Sequence, residues 1–177
     1  MKKQNNSAFI DGANLHKGIA ELHWDLDYKK FRVWLLEKYQ VNKAYLFLGF
    51  VPKYKKLYTY LQEAGFILIY KEVTYNGTGK TKGNCDATLV LKVVVDFYEK
   101  RYDKAVIVSS DGDYAELVDF LREKQSLNAH FSKQKMFFLV AKVKCAIALF
   151  RHQENKTIQI KEKAPSTDRT VKGSLSW

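Results

Sequence analysis

Apolar and polar positions along the chain alternate between two rhythms. Short runs in which most residues are apolar, "SAFID" (7–11), "KAYLFLGF" (43–50), "FILIYKEV" (66–73) and "KAVIVSS" (104–110), have the length and composition of buried strands. Between them apolar residues recur every three or four positions, the period of a helix with one face on a core. Residues 28–39 carry Phe31, Trp34, Leu35 and Tyr39 at that spacing, and 53–65 reads as a helix closed by Gly65. A helix toward Leu22 follows the turn "GAN" after Asp11. Residues 86–100 predict another despite three consecutive valines, and 113–124 a last one with Leu117, Phe120 and Leu121 on one face. Strands alternating with helices predict a parallel sheet covered on both faces. Sheets of that kind place ligands at the carboxyl ends of their strands, in the loops leading into helices. No internal repeat is visible.

Those carboxyl ends carry acids. Asp11 follows "AFI", Asp111 follows "VIVSS", and Asp113 lies two positions further on. Asp86 opens the helix after a polar, Gly-rich loop (75–84), and Asn14 is close enough to Asp11 to face the same crevice. Each acid has a plain alternative role, since "SDGD" is a common turn and helix cap and Asp86 could cap its own helix. Asp11 fits that role least, because a charge at the end of a buried strand needs a reason. Four acids converging on one pocket would repel one another unless a divalent cation neutralised them. Oxygen ligands without Cys or His favour Mg²⁺ or Mn²⁺, and such an ion suits phosphodiester hydrolysis. Asp111 is the expected ligand, with Asp113 both capping its helix and facing the ion. An acid-pocket phosphatase with Asp11 as nucleophile is a further reading. "NGTGKT" (76–81) lacks the glycine a phosphate-binding loop needs at position 74, which is Thr74. Lys80 and Lys82 in that basic loop are better read as phosphate anchors. His16, His23, His130 and His152 have no metal-ligand spacing.

Charge changes the picture more than size does. The 177 residues suffice for one domain with a proper core, and 46% are apolar, so bulk disorder is excluded. Thirty Lys and Arg against 19 Asp and Glu give a net charge of +11, a field that attracts polyanions, nucleic acid first among them. In "PKYKKLYTY" (52–60) tyrosines alternate with lysines, a mixture that can stack on bases and pair with phosphates. Tyr54, Leu57, Tyr58 and Leu61 are also spaced as the buried stripe of a helix, the role expected for most of them. No stretch approaches the roughly 20 apolar residues that cross a bilayer, and "MKKQNNSAF" lacks the features of a signal peptide. Cys85 and Cys145 alone make neither a disulfide framework nor a zinc site, so a cytoplasmic location is expected.

Three motifs in order, "FIDGANLHKGI" (9–19), "KGNCDATLVLKVVVDFY" (82–98) and "AVIVSSDGDYAELVDFLREK" (105–124), resemble the LabA-like branch of the NYN domain, within the PIN-like nuclease superfamily. The resemblance covers about residues 7–125. It implies an α/β, Rossmann-like three-layer sandwich with a mostly parallel central sheet, an acidic pocket for Mg²⁺ or Mn²⁺, and cleavage of RNA by an endoribonuclease. Carried over by position, Asp11, Asp86, Asp111 and Asp113 form the acidic set. Asn14 would position metal, water or substrate, and Ser109 and Ser110 would line the pocket. Ser110 stands where many relatives have glycine. Lys92 stands where some have a further acid, which supports the alternative of an inactive nucleic-acid-binding or regulatory module.

From near Leu127 the family pattern lapses. A strand, a Ser-Pro-Asn-like turn, a helix and a last strand are expected, and "NAHFSKQKMFFLVAKVKCAIALFRHQENK" shows none of those cues. Back-translated with chosen synonymous codons and read one nucleotide forward, the segment can regain them, so two compensating frameshifts over about 128–160 are one expectation and plain divergence the other. A scrambled segment would leave an apolar run exposed and promote pairing with another copy, a homo-oligomer. The domain is expected to span 1–160, with 161–177 a polar, flexible tail.

Overall fold

In the computed structural model the described residues are 4–21, 23, 25–72, 74–75, 81–82 and 85–131, with side chains left out at 72, 74, 75, 81 and 82. Five parallel strands form the central sheet in the order β3-β2-β1-β6-β7: β1 (Asn6–Asp11), β2 (Val41–Phe50), β3 (Ile67–Glu72), β6 (Ala105–Val108) and β7 (Leu127–Phe131). A separate two-stranded ribbon, β4 (Thr74–Tyr75) with β5 (Thr81–Lys82), runs antiparallel. The helices are α1 (Gly12–Glu21), α2 (Tyr28–Tyr39), α3 (Lys55–Glu63), α4 (Asp86–Tyr98) and α5 (Ala115–Glu123). Single 3-10 turns at Pro52–Tyr54 and Gly112–Tyr114 lead into α3 and α5.

The side-chain alternation of the strands builds the layers. Phe9, Tyr45, Phe47, Ala105 and Ile107 share one core with Leu89 and Val93 of α4 and with Leu117 and Leu121 of α5. Ala8, Ile10, Ala44, Leu46, Val106 and Val108, also fully or almost fully buried, take the other face, on the side of Leu15, Ile19, Phe31 and Leu35. The result is the expected three-layer α/β sandwich. Asp27 caps α2 by accepting from Lys30 N at 3.0 Å, and Gln40 ends it in the left-handed region (φ 53°).

Chain order reverses between β1 and β6. From β1 the chain moves outward through β2 to β3, then returns across the sheet to lay β6 on the opposite side of β1. That crossing opens a crevice at the carboxyl ends of the two strands, the switch point at which such sheets bind ligands. Gly12 turns the chain sharply there: a Cβ on it would sit 2.8 Å from the Phe47 carbonyl oxygen and 2.3 Å from Leu48 Cδ2. The backbone oxygen cannot yield as a side chain can, so the first turn of α1 requires glycine.

One sequence expectation is corrected here. The stretch after Leu127 carries no strand cue, yet Leu127–Phe131 pairs in parallel with β6, Val108 lying opposite Phe131. Its register comes from its neighbour, and Phe131 packs edge-on against Trp34 and Tyr39. The remainder of the suspected frameshifted segment (132–160) and the tail (161–177) lie outside the described residues.

Candidate functional site

The crevice at the switch point gathers every acid singled out above. Asp11 ends β1 and is nearly buried, 7% exposed. It accepts from Asn14 N at 3.0 Å and from Ser109 Oγ at 3.4 Å, and Tyr114 Oη lies 3.5 Å from the same Oδ2. Asp86 is the first residue of α4, and Asp111 and Asp113 flank Gly112 at the exit of β6. One oxygen from each of Asp86, Asp111 and Asp113 lies within 4.8 Å of the other two. Asp11 stands beside this trio rather than within it.

Loop hydrogen bonds hold the two strand ends together. The Ser110 backbone N–H and hydroxyl both donate to Asn14 Oδ1, tying the exit of β6 to the first turn of α1. Ser109 is fully buried; its Oγ accepts from Asp111 N at 3.2 Å while reaching Asp11. Asp111 Oδ1 accepts from Asp113 N at 3.1 Å, so Asp111, not Asp113, caps the turn. The capping role and the cluster role coincide in one residue.

Tyr114 was not legible as a site residue. It is 1% exposed and its hydroxyl donates to Asp86 Oδ1 while facing Asp11. A fully buried tyrosine needs a partner for its hydroxyl, and that requirement was the available signal. Burial, the bond to Asp86 and the charges of Asp11, Asp86 and Asp111 push its ionisation far above the usual range. The hydroxyl therefore serves only as a donor, given to Asp86 at the start of α4 with Asp11 of β1 beside it.

Carboxylates dominate the electrostatics of the crevice, and Lys71 is a cation that acts at its edge. Burial raises the Asp11 carboxyl above its ordinary value; the Asn14 N–H opposes this and the Asp86 charge adds to it. Cys85 next door is raised by burial and by Asp11, with Lys71 pulling the other way, so it is a thiol rather than a nucleophile. Lys92 brings no positive charge to the acids: its Nζ bonds Asp96 Oδ1 at 2.8 Å and lies 4.9 Å from the Tyr45 ring centre. Six residues along α4 is about 240° of rotation, away from the face of Asp86. Lys80 lies outside the described residues, and Lys82 is described only as backbone in β5.

The donor set fits a small hard cation. Oxygens bound to one octahedral Mg²⁺ at about 2.1 Å lie roughly 3–4.2 Å apart, a modest contraction of the trio. Asp113 is exposed and Asp86 half-buried, so these side chains can close on an ion.

Fold and site together define an α/β protein with an acidic pocket at the switch point of a parallel sheet. The NYN domain matches residues 7–145, and the chain belongs to that family. The match continues beyond the last of the three motifs. In three dimensions the chain is similar to the crystal structure of a protein of unknown function from Vibrio parahaemolyticus, with TM-score 0.62 and 19% identity. That similarity covers 79% of this chain and 93% of the other, and it concerns the fold alone. No curated protein matches the chain. Among the described residues no helix is long and apolar enough to cross a membrane.

Proposed function

We propose that the protein is a metal-dependent endoribonuclease of the LabA-like branch, with Asp11, Asp86, Asp111 and Asp113 as its acidic set and RNA as its substrate. The observation that carries this reading is the convergence of the Asp86, Asp111 and Asp113 oxygens beside a nearly buried Asp11. Membership of a family of PIN-like domains and the net charge of +11 point the same way.

Mg²⁺ or Mn²⁺, when bound, would polarise a phosphoryl oxygen and lower the pKa of a water. Asp86, Asp111 and Asp113 would hold the ion. Asp11, in the driest position, would orient the attacking water and accept its proton, a task to which a raised carboxyl is suited. Asn14 and Ser110 keep the two strand ends in register, Ser109 and Tyr114 aim the carboxylates, and Lys80 and Lys82 would anchor the phosphate backbone. The setting would be cytoplasmic.

The test is cleavage of labelled single-stranded and structured RNA with Mn²⁺, Mg²⁺ or EDTA. Wild type should cut only with metal, and Asp111→Asn should lower the rate at least a hundredfold while RNA binding persists. Cleavage in EDTA, or an Asp111→Asn protein that cuts normally, refutes the assignment. Metal-independent RNA binding without cleavage by wild type would instead identify an inactive binding module.

A further inference from the structure

The carboxyl edge of the sheet carries a second feature beside the acids. β2 ends at Phe50, and the chain continues through Val51 and the Pro52–Tyr54 turn into α3. Asp11 pairs with Phe47, so Phe50 lies three residues, about 10 Å, beyond it on the neighbouring strand. Phe50, Tyr54, Leu57 and Tyr70 are 39–45% exposed, an unusual concentration of large apolar side chains. Tyr58 and Leu61, by contrast, are core residues, so the tyrosine-rich stripe divides between two roles.

Three rings of this surface pack on one another. Phe50, Tyr58 and Tyr70 pack together with ring centres 5.2–5.9 Å apart. The Tyr58 hydroxyl accepts from Val51 N at 2.9 Å, with the Gly49 and Val51 carbonyl oxygens 3.3 Å away, fixing the path from β2 to α3. It is also basic. Residues 51–60 contain three lysines and no acid, all three exposed, and Lys53 Nζ lies 4.9 Å from the Tyr54 ring centre. Exposed rings interleaved with lysines at the rim of a phosphodiester-cleaving pocket match an unpaired strand, whose bases offer π-faces and whose phosphates offer charge. A duplex keeps its bases stacked and offers the phosphates alone.

We propose that Phe50, Tyr54 and Leu57, with Lys53, Lys55 and Lys56, form a stacking platform that holds an unpaired stretch of RNA and leads it to the acidic crevice. The platform rests on the ribonuclease reading for its ligand, but its binding is measurable without catalysis. The experiment is fluorescence anisotropy of the full chain in EDTA with a labelled, unstructured 12-nucleotide RNA and with the same strand annealed to its complement. Wild type should favour the single strand. Tyr54→Ala should weaken single-strand binding roughly tenfold and leave duplex binding nearly unchanged, while Tyr54→Phe keeps the ring and the affinity. Lys53→Gln with Lys56→Gln should flatten the salt dependence, lowering the slope of log K against log salt by about 1.4.

Equal affinity for single strand and duplex overturns the platform, as does a Tyr54→Ala protein that binds like wild type. The two proposals fail separately. Metal-dependent cleavage that ignores Tyr54→Ala sinks the platform and spares the nuclease. Tyr54-dependent binding by a protein that never cuts sinks the nuclease and leaves the platform standing.

Discussion

Asp11 shows how one carboxylate can work against the fold that carries it. Its pKa is raised in the folded protein, so between the unfolded and folded values the native state binds more protons. Stability therefore falls as pH rises through that window and stays lower at neutral pH. Asp11→Asn removes the charge and keeps an oxygen for the Asn14 N–H. Without metal at pH 7 it should be more stable than wild type and melt at a higher temperature. The same variant should lose RNA cleavage. Calorimetry in EDTA at pH 7 checks the first half; a lower melting temperature than wild type would contradict the account. Tyr114 is the complementary case, a neutral donor whose single O–H goes to Asp86 while its oxygen stands 3.5 Å from Asp11.

At the scale of the element, α4 separates its chemistry by end. Asp86 at its start faces the crevice, and Asp96, 1% exposed in the last turn, takes Lys92 at 2.8 Å and Arg101 at 3.2 Å. Removing the buried acid should cost about 2 kcal/mol, since both cations reach water and need not stay unpaired. Asp96→Ala should thus melt roughly 4–8 °C lower than wild type and keep its cleavage rate. Lys92→Met should leave Mn²⁺ affinity unchanged; tighter binding would mean that the ammonium does reach the acids. Elements whose signal was local were legible. The runs at 7–11 and 104–110 are strands buried on both faces, those at 43–50 and 66–73 are strands that reach the surface at Phe50, Ile67 and Tyr70, and α2, α3 and α5 follow their apolar spacing. β7 was not legible, because most of "LNAHF" is only half-buried and pairing with β6 sets its place. The acids could be named from their strand ends, whereas Tyr114 could not, since its role needs α4 and β1 brought to the same ring. The exchange of capping roles between Asp111 and Asp113 turns on one 3-10 turn, below the resolution of residue spacing.

For the whole molecule, a chain of net charge +11 gathers the carboxylates of Asp86, Asp111 and Asp113 in one crevice. A cation bound only by the native state stabilises it by mass action, by about 2.7 kcal/mol at a hundred times its Kd. Saturating Mn²⁺ should therefore raise the melting temperature by roughly 5–10 °C, EDTA should reverse the rise, and Asp86→Asn should blunt it. An unchanged melting temperature for wild type would argue against an ion at the trio. The strand order has a consequence for synthesis on the ribosome. β1 can acquire β2 early, and β2 can acquire β3, but the other edge of β1 stays open until residues 105–108 have emerged. A nascent chain of a hundred residues exposes a central strand to any neighbour that can pair with it. It also holds Asp11 and Asp86 without Asp111 and Asp113, so an unfinished protein has only half of its acidic pocket.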